Sequence, residues 1–298
     1  MTKTKQKRHL LLNLPIITAL VMFVCYVVLA NTVEGIAVVL MPGMSPLMTE
    51  IAGFVASVGA AYLISLAIKA RLKNGYILGF RSENFAKCLM LGWLFPAVLI
   101  VNVGINFINN GYSFDFFPPL TLSSVLIALV GSMTPGFGEE LLYRSVMANN
   151  MMRVWGSKKY GIYGAVFASA IIFGLVHILN GLIAGFTAAV FWQAAYATGL
   201  GLVFGAMYMR TRNLWGCILM HTVFDFLGLL SQASEASSTE SLVQILQAEV
   251  GWFDIIYNSV LIAVSLAVAL YLIRPSKHAQ IKANWNLEEP ADQAVTEQ

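Results

Sequence analysis

The stretch that decides the fold class is Leu10–Ala30, which reads LLLNLPIITALVMFVCYVVLA and contains no charged residue. A helix needs about 20 such residues to cross the hydrocarbon core of a bilayer. The whole chain has this character, since 58% of its 298 residues are hydrophobic and 11% are charged. Soluble domains carry about 25% charged residues. The composition therefore excludes an ordinary soluble domain and predicts a polytopic, all-α membrane protein.

Seven further apolar runs follow the first. Together they predict about eight transmembrane helices, the others being Ile51–Ile68, Ala86–Ile108, Pro119–Leu142, Tyr160–Leu179, Leu182–Met209, Leu214–Leu230 and Trp252–Ile273. The first run is longer than the 7–15 apolar residues of a signal peptide, so we expect a retained helix. We interpret residues 1–298 as a single membrane domain enclosing an intramembrane cavity, with residues 275–298 as a polar, disordered cytoplasmic tail.

The basic residues predict the orientation of the chain. With a cytoplasmic amino terminus, eight helices place all 18 Lys and Arg residues in cytoplasmic segments or at cytoplasmic helix ends. The external segments then carry acidic residues only, which is the asymmetry typical of membrane proteins. We therefore expect both termini in the cytoplasm and a location in a bacterial plasma membrane. A net charge of only +3 gives no basic surface for nucleic acid.

Ionisable residues inside the predicted helices mark the candidate site. Each costs about 2.5–3.5 kcal/mol at a helix centre, so those that are present usually face the bundle interior and have a function. They fall in three motifs, which are Glu139–Arg144 (EELLYR), Phe173–His177 (FGLVH) and His221–Asp225 (HTVFD). Taken singly, each also fits a structural ion pair or an interfacial histidine. Taken together, they predict the active site of a hydrolase that works within the membrane.

The order and spacing of these motifs resemble the CAAX-protease and bacteriocin-processing family (CPBP, or Abi), which includes the type II CAAX prenyl endopeptidases. The resemblance covers about residues 120–230, which would form the catalytic core. It implies an intramembrane endopeptidase whose cavity opens to the cytoplasm. The substrate would be a protein or peptide, such as the C-terminal region of a membrane-anchored or lipidated protein, and the other partner would be the lipid bilayer.

The same resemblance implies the roles of the site residues. Glu140 would be the general base that activates a water molecule, and His177 would help to position that water. His221 and Asp225 would stabilise the oxyanion or hold the base. Three further residues would support the site or position the substrate: Glu139, Arg144 and Phe173.

Asp225 departs from the prenyl-protease pattern, which has asparagine at this position. An ionised aspartate cannot donate a hydrogen bond to an oxyanion, so Asp225 is protonated, orients His221, or ligates a metal. Glu140, His177, His221 and Asp225 are of the types that bind zinc. Because the chain has no His-Glu-x-x-His motif, we favour a metal-free glutamic mechanism and assign no cofactor, with a zinc metalloprotease as the alternative.

Two other functions fit parts of the pattern. Intramembrane Glu, His and Asp also form proton relays in transporters, although no inverted repeat is evident here. A non-catalytic immunity or scaffold protein of the same fold would not need Glu140, His177 and His221 together. One difficulty concerns depth, since straight spans would put Glu140 near the inner boundary and His177 near the outer one. We therefore expect the helix edges between residues 119 and 179 to differ from the prediction.

Overall fold

The computed structural model describes residues 11–72, 78–109, 111–114, 118–230 and 236–287. Within these ranges all regular secondary structure is helical, which confirms the predicted fold class. In chain order the α-helices are α1 (Pro15–Leu40), α2 (Pro46–Leu72), α3 (Phe85–Leu91), α4 (Leu94–Asn109), α5 (Leu122–Glu140), α6 (Asn149–Trp155), α7 (Gly161–Val176), α8 (Gly181–Ala184), α9 (Ala188–Thr211), α10 (Leu214–Leu230), α11 (Ser238–Gln247), α12 (Trp252–Leu272) and α13 (His278–Asn284). A π-helix, Leu141–Ala148, joins α5 to α6.

The helices account for about the predicted number of membrane spans. Among the described residues, six segments are long and apolar enough to cross a bilayer: α1, α2, the run 122–155, the run 161–184, α9 and α12. Helices α3 and α4 pass the same test together, with a bend of 46° between them. Helix α10 corresponds to the remaining predicted span and has 17 residues. At 1.5 Å per residue it is ~26 Å long, slightly less than the hydrocarbon thickness.

The largest departure from the predicted spans is at the first motif. The predicted helix Pro119–Leu142 continues through the π-helix to Trp155, as one run of 34 residues. Glu140 therefore lies near the middle of this run instead of near its cytoplasmic end. The hydropathy falls after Leu142 because the residues that follow are polar, but they are buried against other helices: Arg144, Ser145, Asn149 and Asn150.

Other boundaries also differ from the prediction. Helix α1 continues to Leu40, beyond its predicted end at Ala30. Helix α9 begins at Ala188, because the predicted span Leu182–Met209 is interrupted at Gly185, where φ is +84°. The predicted disordered tail is helical over Pro275–Asn284, as a 3-10 turn followed by α13. Trp285 anchors this segment by donating its indole N–H to the carbonyl oxygen of Met209 at 2.9 Å. The rest of the predicted tail, residues 288–298, lies outside the described residues.

Helix α9 lies at the centre of the fold and packs against α7 on one side and α12 on the other. Helix α5 packs in the same way between α2 and α10. Close approach depends on glycine where helices meet. A side chain at Gly174 of α7 would collide with the Thr198 hydroxyl of α9, and one at Gly136 of α5 would collide with Thr222 of α10. These contacts bring the three motifs together inside the bundle.

Candidate active site

The centre of the candidate site is a fully buried carboxylate, Glu140. Its Oε2 lies 3.1 Å from Nε of Arg144, and its Oε1 lies 3.0 Å from Nδ1 of His221. Neither the glutamate nor the arginine side chain is more than 2% exposed. The pairing of Glu140 with Arg144 is the one expected from their spacing of four residues. Glu140 therefore forms an ion pair with Arg144 through one oxygen and contacts the imidazole through the other.

The second ring nitrogen of His221 faces two other carboxylates. Its Nε2 lies 3.4 Å from Oδ2 of Asp225 and 3.9 Å from Oε2 of Glu139. The Asp225 side chain is 29% exposed and that of Glu139 is 24% exposed, whereas that of Glu140 is fully buried. Atom Oε2 of Glu139 is itself buried, and no hydrogen-bond donor within the described ranges reaches it. The accessible edge of the cluster is therefore the side on which Nε2 of His221 faces Asp225 and Glu139.

Aromatic rings surround the charged groups. The guanidinium carbon of Arg144 lies 4.8 Å from the ring centre of Phe173 and 5.2 Å from that of Phe204. Phe204 also stacks on the His221 ring, with centroids 5.1 Å apart. A cation between aromatic faces is stabilised when water is excluded. Phe173, which was predicted to support the site, therefore lies in contact with Arg144.

His177 lies at the end of α7 and joins the cluster indirectly. Its Nδ1 is 2.7 Å from the carbonyl oxygen of Phe173, and because a carbonyl only accepts, Nδ1 carries the proton. A neutral His177 then has its lone pair on Nε2. No hydrogen bond or ion pair in the described part of the chain links it to Glu140 or to His221. The Phe173 ring lies between the two imidazoles, with its centre 4.9 Å from that of His177 and 6.1 Å from that of His221, so the longer helix of the first motif removes the predicted mismatch in depth.

The side chains proposed as zinc ligands are not assembled around a common point. Among the residues with described positions, no three His, Cys, Asp or Glu side chains could hold one metal ion. The nitrogens of His221 face carboxylates, and Glu140 is bound by Arg144 and His221. A zinc site needs three or four such donors within about 2.0–2.3 Å of the metal. In this arrangement, the set Glu140, His177, His221 and Asp225 does not fit a zinc ion.

Two parts of the site were not predicted from the sequence. Phe204 lies outside the three motifs, and the glycines around it in α9 were the only signal. The other part is a polar contact between α1 and α2, where the Tyr26 hydroxyl and Ser57 Oγ are 2.7 Å apart. It lies beside Gly138, one residue before Glu139, where a side chain would collide with Ser57. Polar residues in otherwise apolar runs were the available signal here.

Part of the chain matches a known protein family. Residues 121–227 match the family model described as type II CAAX prenyl endopeptidase, Rce1-like. No curated protein matches the chain. The matched range begins at the residue that caps α5 and ends within α10, so it includes the three motifs. The match confirms the resemblance to the CAAX-protease family, and it supports a protease embedded in the membrane.

Proposed function

We propose, from the match of residues 121–227 to the type II CAAX prenyl endopeptidase model, that this chain is an intramembrane endopeptidase that hydrolyses a peptide bond with a carboxylate-activated water. The observation that carries the proposal is the buried cluster in which Glu140 contacts Arg144 and His221, and in which Oε2 of Glu139 lies 3.9 Å from Nε2 of His221. Charged groups at this depth are costly unless they are used. The expected substrate is a protein or peptide that reaches the cluster from its partly exposed edge, on the side of Glu139 and Asp225.

Glu139 fits the role of general base better than Glu140, to which the family resemblance led us. Glu140 lies at ion-pair distance from both Arg144 and His221, so a proton taken up there would break the ion pair with Arg144. The buried Oε2 of Glu139 lies 3.9 Å from Nε2 of His221. A base must lie within hydrogen-bond reach of the water that it deprotonates. Glu140 then serves to fix His221 and Arg144.

His221 is suited to stabilise the oxyanion. Glu140, held ionised by Arg144, accepts a hydrogen bond from Nδ1–H of His221. Asp225 at Nε2 favours the imidazolium form, in which Nε2 also carries a proton to donate. A fixed donor in a site without bulk water is worth far more than the same donor in water. In this assignment Asp225 is ionised and acts through His221, which accounts for an acid at the position of the prenyl proteases' asparagine.

The reaction follows from these positions. Glu139 takes a proton from water, and the oxygen of that water attacks the scissile carbonyl carbon. Negative charge moves to the carbonyl oxygen, which shares the Nε2–H of His221 with Asp225 and is stabilised by it. The proton on Glu139 then passes to the departing nitrogen as the carbon–nitrogen bond breaks, which yields a carboxylic acid and an amine. His177 accepts a hydrogen bond from the water at Nε2, and no step needs a metal.

The experiment that tests this function compares three matched variants in liposomes, which are Glu139→Gln, Glu140→Gln and Glu240→Gln. The readout is mass-spectrometric detection of cleavage in a peptide library. Glu139→Gln should lower the rate by about 10²–10⁴-fold, the usual contribution of a general base. Glu240→Gln, in the external helix α11, is the control and should cleave at the parent rate.

The outcomes separate the residue assignment from the function. Activity of Glu139→Gln within a few-fold of the parent would contradict the role of Glu139. Loss of activity in Glu140→Gln alone would return the role of base to Glu140. A folded parent that cleaves no peptide in the library, and no lipidated peptide added to it, would favour the non-catalytic alternative.

A further inference from the structure

A groove of about 600 Å³ lies beside the helices that carry the catalytic residues. We call it the lateral groove. Helix α5 lines it with Leu129, Met133 and Phe137, and α10 lines it with Trp215 and Leu219 among others. Its volume is within the range of ~300–1,000 Å³ that is usual for ligand sites. The walls along these two helices are almost entirely apolar, so the groove suits a hydrocarbon chain.

The direction of the lateral groove follows from the spacing of its residues. Leu129, Met133 and Phe137 are four residues apart, and so are Trp215 and Leu219, so each set forms a stripe along its helix. The stripe on α5 is ~12 Å long at 1.5 Å per residue. Both helices lie in predicted membrane spans, so the groove runs in the direction in which lipid chains lie.

One end of the lateral groove is polar. Arg81 and Ser82 line it there, in the segment that leads into α3. This segment is fixed against the start of α10, because Nδ2 of Asn213 donates to the carbonyl of Arg81 at 2.6 Å and the N–H of Leu214 donates to Gly79 at 2.8 Å. The positive charge therefore lies at the α10 amino-terminal end, where the predicted topology puts the cytoplasmic boundary.

Arg81 has binding capacity beyond its one ion pair. Its Nε lies 3.2 Å from Glu83, but the two side chains are 30% and 63% exposed. An exposed pair of this kind contributes little to stability and can exchange partners. A phosphate can bind the guanidinium through two parallel hydrogen bonds.

We propose that the lateral groove binds a membrane phospholipid with an anionic headgroup. One acyl chain lies along Leu129, Met133 and Phe137, and the phosphate group contacts Arg81 and Ser82. The layout of the groove, apolar along the helices and cationic at its boundary end, matches that of a lipid in the cytoplasmic leaflet. Anionic lipids of that leaflet are attracted to Lys and Arg at the membrane surface. This inference goes beyond the proposed function and does not depend on it.

The test uses Trp215 as a reporter, because it lines the groove. The full-length protein is placed in phosphatidylcholine bilayers, and a rising fraction of the lipid is replaced by phosphatidylglycerol or phosphatidylcholine with brominated chains, which quench tryptophan. The Trp215 signal is the difference between the parent and Trp215→Phe. One cation near the headgroup is worth about 1 kcal/mol, so half-quenching should need about fivefold less brominated phosphatidylglycerol.

Variants of Arg81 decide whether the groove is the cause. Arg81→Gln should remove the preference for phosphatidylglycerol, and Arg81→Lys should keep most of it. Lys69→Gln is the matched control, since Lys69 is an exposed cation near the end of α2 and should leave the preference unchanged. Equal quenching by both lipids, a preference that survives in Arg81→Gln, or a Trp215 signal that neither lipid quenches would each overturn the proposal. None of these readouts requires proteolysis, so they do not bear on the catalytic assignment.

Discussion

Helices α1 and α9 are both long and apolar enough to span a membrane, but the more apolar of the two is the less buried. Helix α1 is the more apolar of the two and has three buried residues, whereas α9 is less apolar and has seventeen. Lipid chains are as apolar as leucine, so hydrophobicity does not drive helices together inside a bilayer. Small and polar side chains face the interior instead. The site is therefore found where the spans are least apolar.

The largest effect expected from this comparison is at Arg144, in the polar interior. Arg144→Met removes the cation that binds Glu140 and leaves a buried carboxylate unpaired. Breaking a buried pair from one side usually costs about 3–5 kcal/mol. We expect a large decrease in the thermal unfolding temperature of the protein in detergent.

Two further variants test whether the unpaired charge causes that loss. In the double variant Arg144→Met, Glu140→Gln, part of the stability should return because no buried charge is left unpaired. Arg71→Met, at an exposed position near the end of α2, should leave the unfolding temperature unchanged. If Arg144→Met alone were as stable as the parent, the ion pair between Glu140 and Arg144 would not stabilise the interior.

A glycine pair gives a smaller effect and compares the two regions directly. Gly174→Ala puts a methyl group against the Thr198 hydroxyl and the carbonyl of Ala194, and such overpacking usually costs about 1–3 kcal/mol. Gly35→Ala, in α1, has nothing within 4 Å of the new methyl. It should stabilise the helix by about 0.5–1 kcal/mol. Thermal unfolding of both variants checks the signs, and equal signs would contradict the contrast between interior and periphery.

The same contrast explains what could be predicted from the sequence. Hydropathy locates α1, α2 and α12 because their outward faces meet lipid. Hydropathy places the end of the helix with the first motif at Leu142, which is too early. The reason is that the buried polar residues from Arg144 onward have the composition of a loop. The tail was predicted to be disordered for the same reason, although Trp285 docks on the end of α9.

Within the site, spacing predicted the partners that lie on one helix. The pairs Glu140–Arg144 and His221–Asp225 are four apart on their helices, and both lie at ion-pair distance. The contact between Glu140 and His221 could not be predicted from spacing, because His221 comes from another helix 81 residues away. Phe204 was missed because an aromatic residue in an apolar helix carries no signal of the cation that it faces.

A moderate effect on catalysis is expected at the exposed edge of the cluster. Asp225→Asn keeps an acceptor for Nε2–H of His221 but removes the charge that favours the imidazolium. Since a charge-assisted hydrogen bond is about twice as strong as a neutral one, we expect kcat to fall by about tenfold. Asp225→Ala should reduce kcat further. If both variants match the parent in peptide cleavage, Asp225 has no part in activating His221.

Metal removal is expected to have the smallest effect. It tests whether the polar interior can act without a metal ion. Glu140 and His221 are bound to partners on the protein, so a zinc ion could bind only by displacing Arg144 or separating the imidazole from its carboxylates. We therefore expect peptide cleavage to be unchanged, within about twofold, after dialysis against a chelator, and we expect Asp225→Asn to contain no less zinc than the parent. Cleavage that is lost on dialysis and restored by zinc would contradict this reading. Stoichiometric zinc in the parent and its loss from Asp225→Asn would identify Asp225 as a ligand instead of a positioning residue.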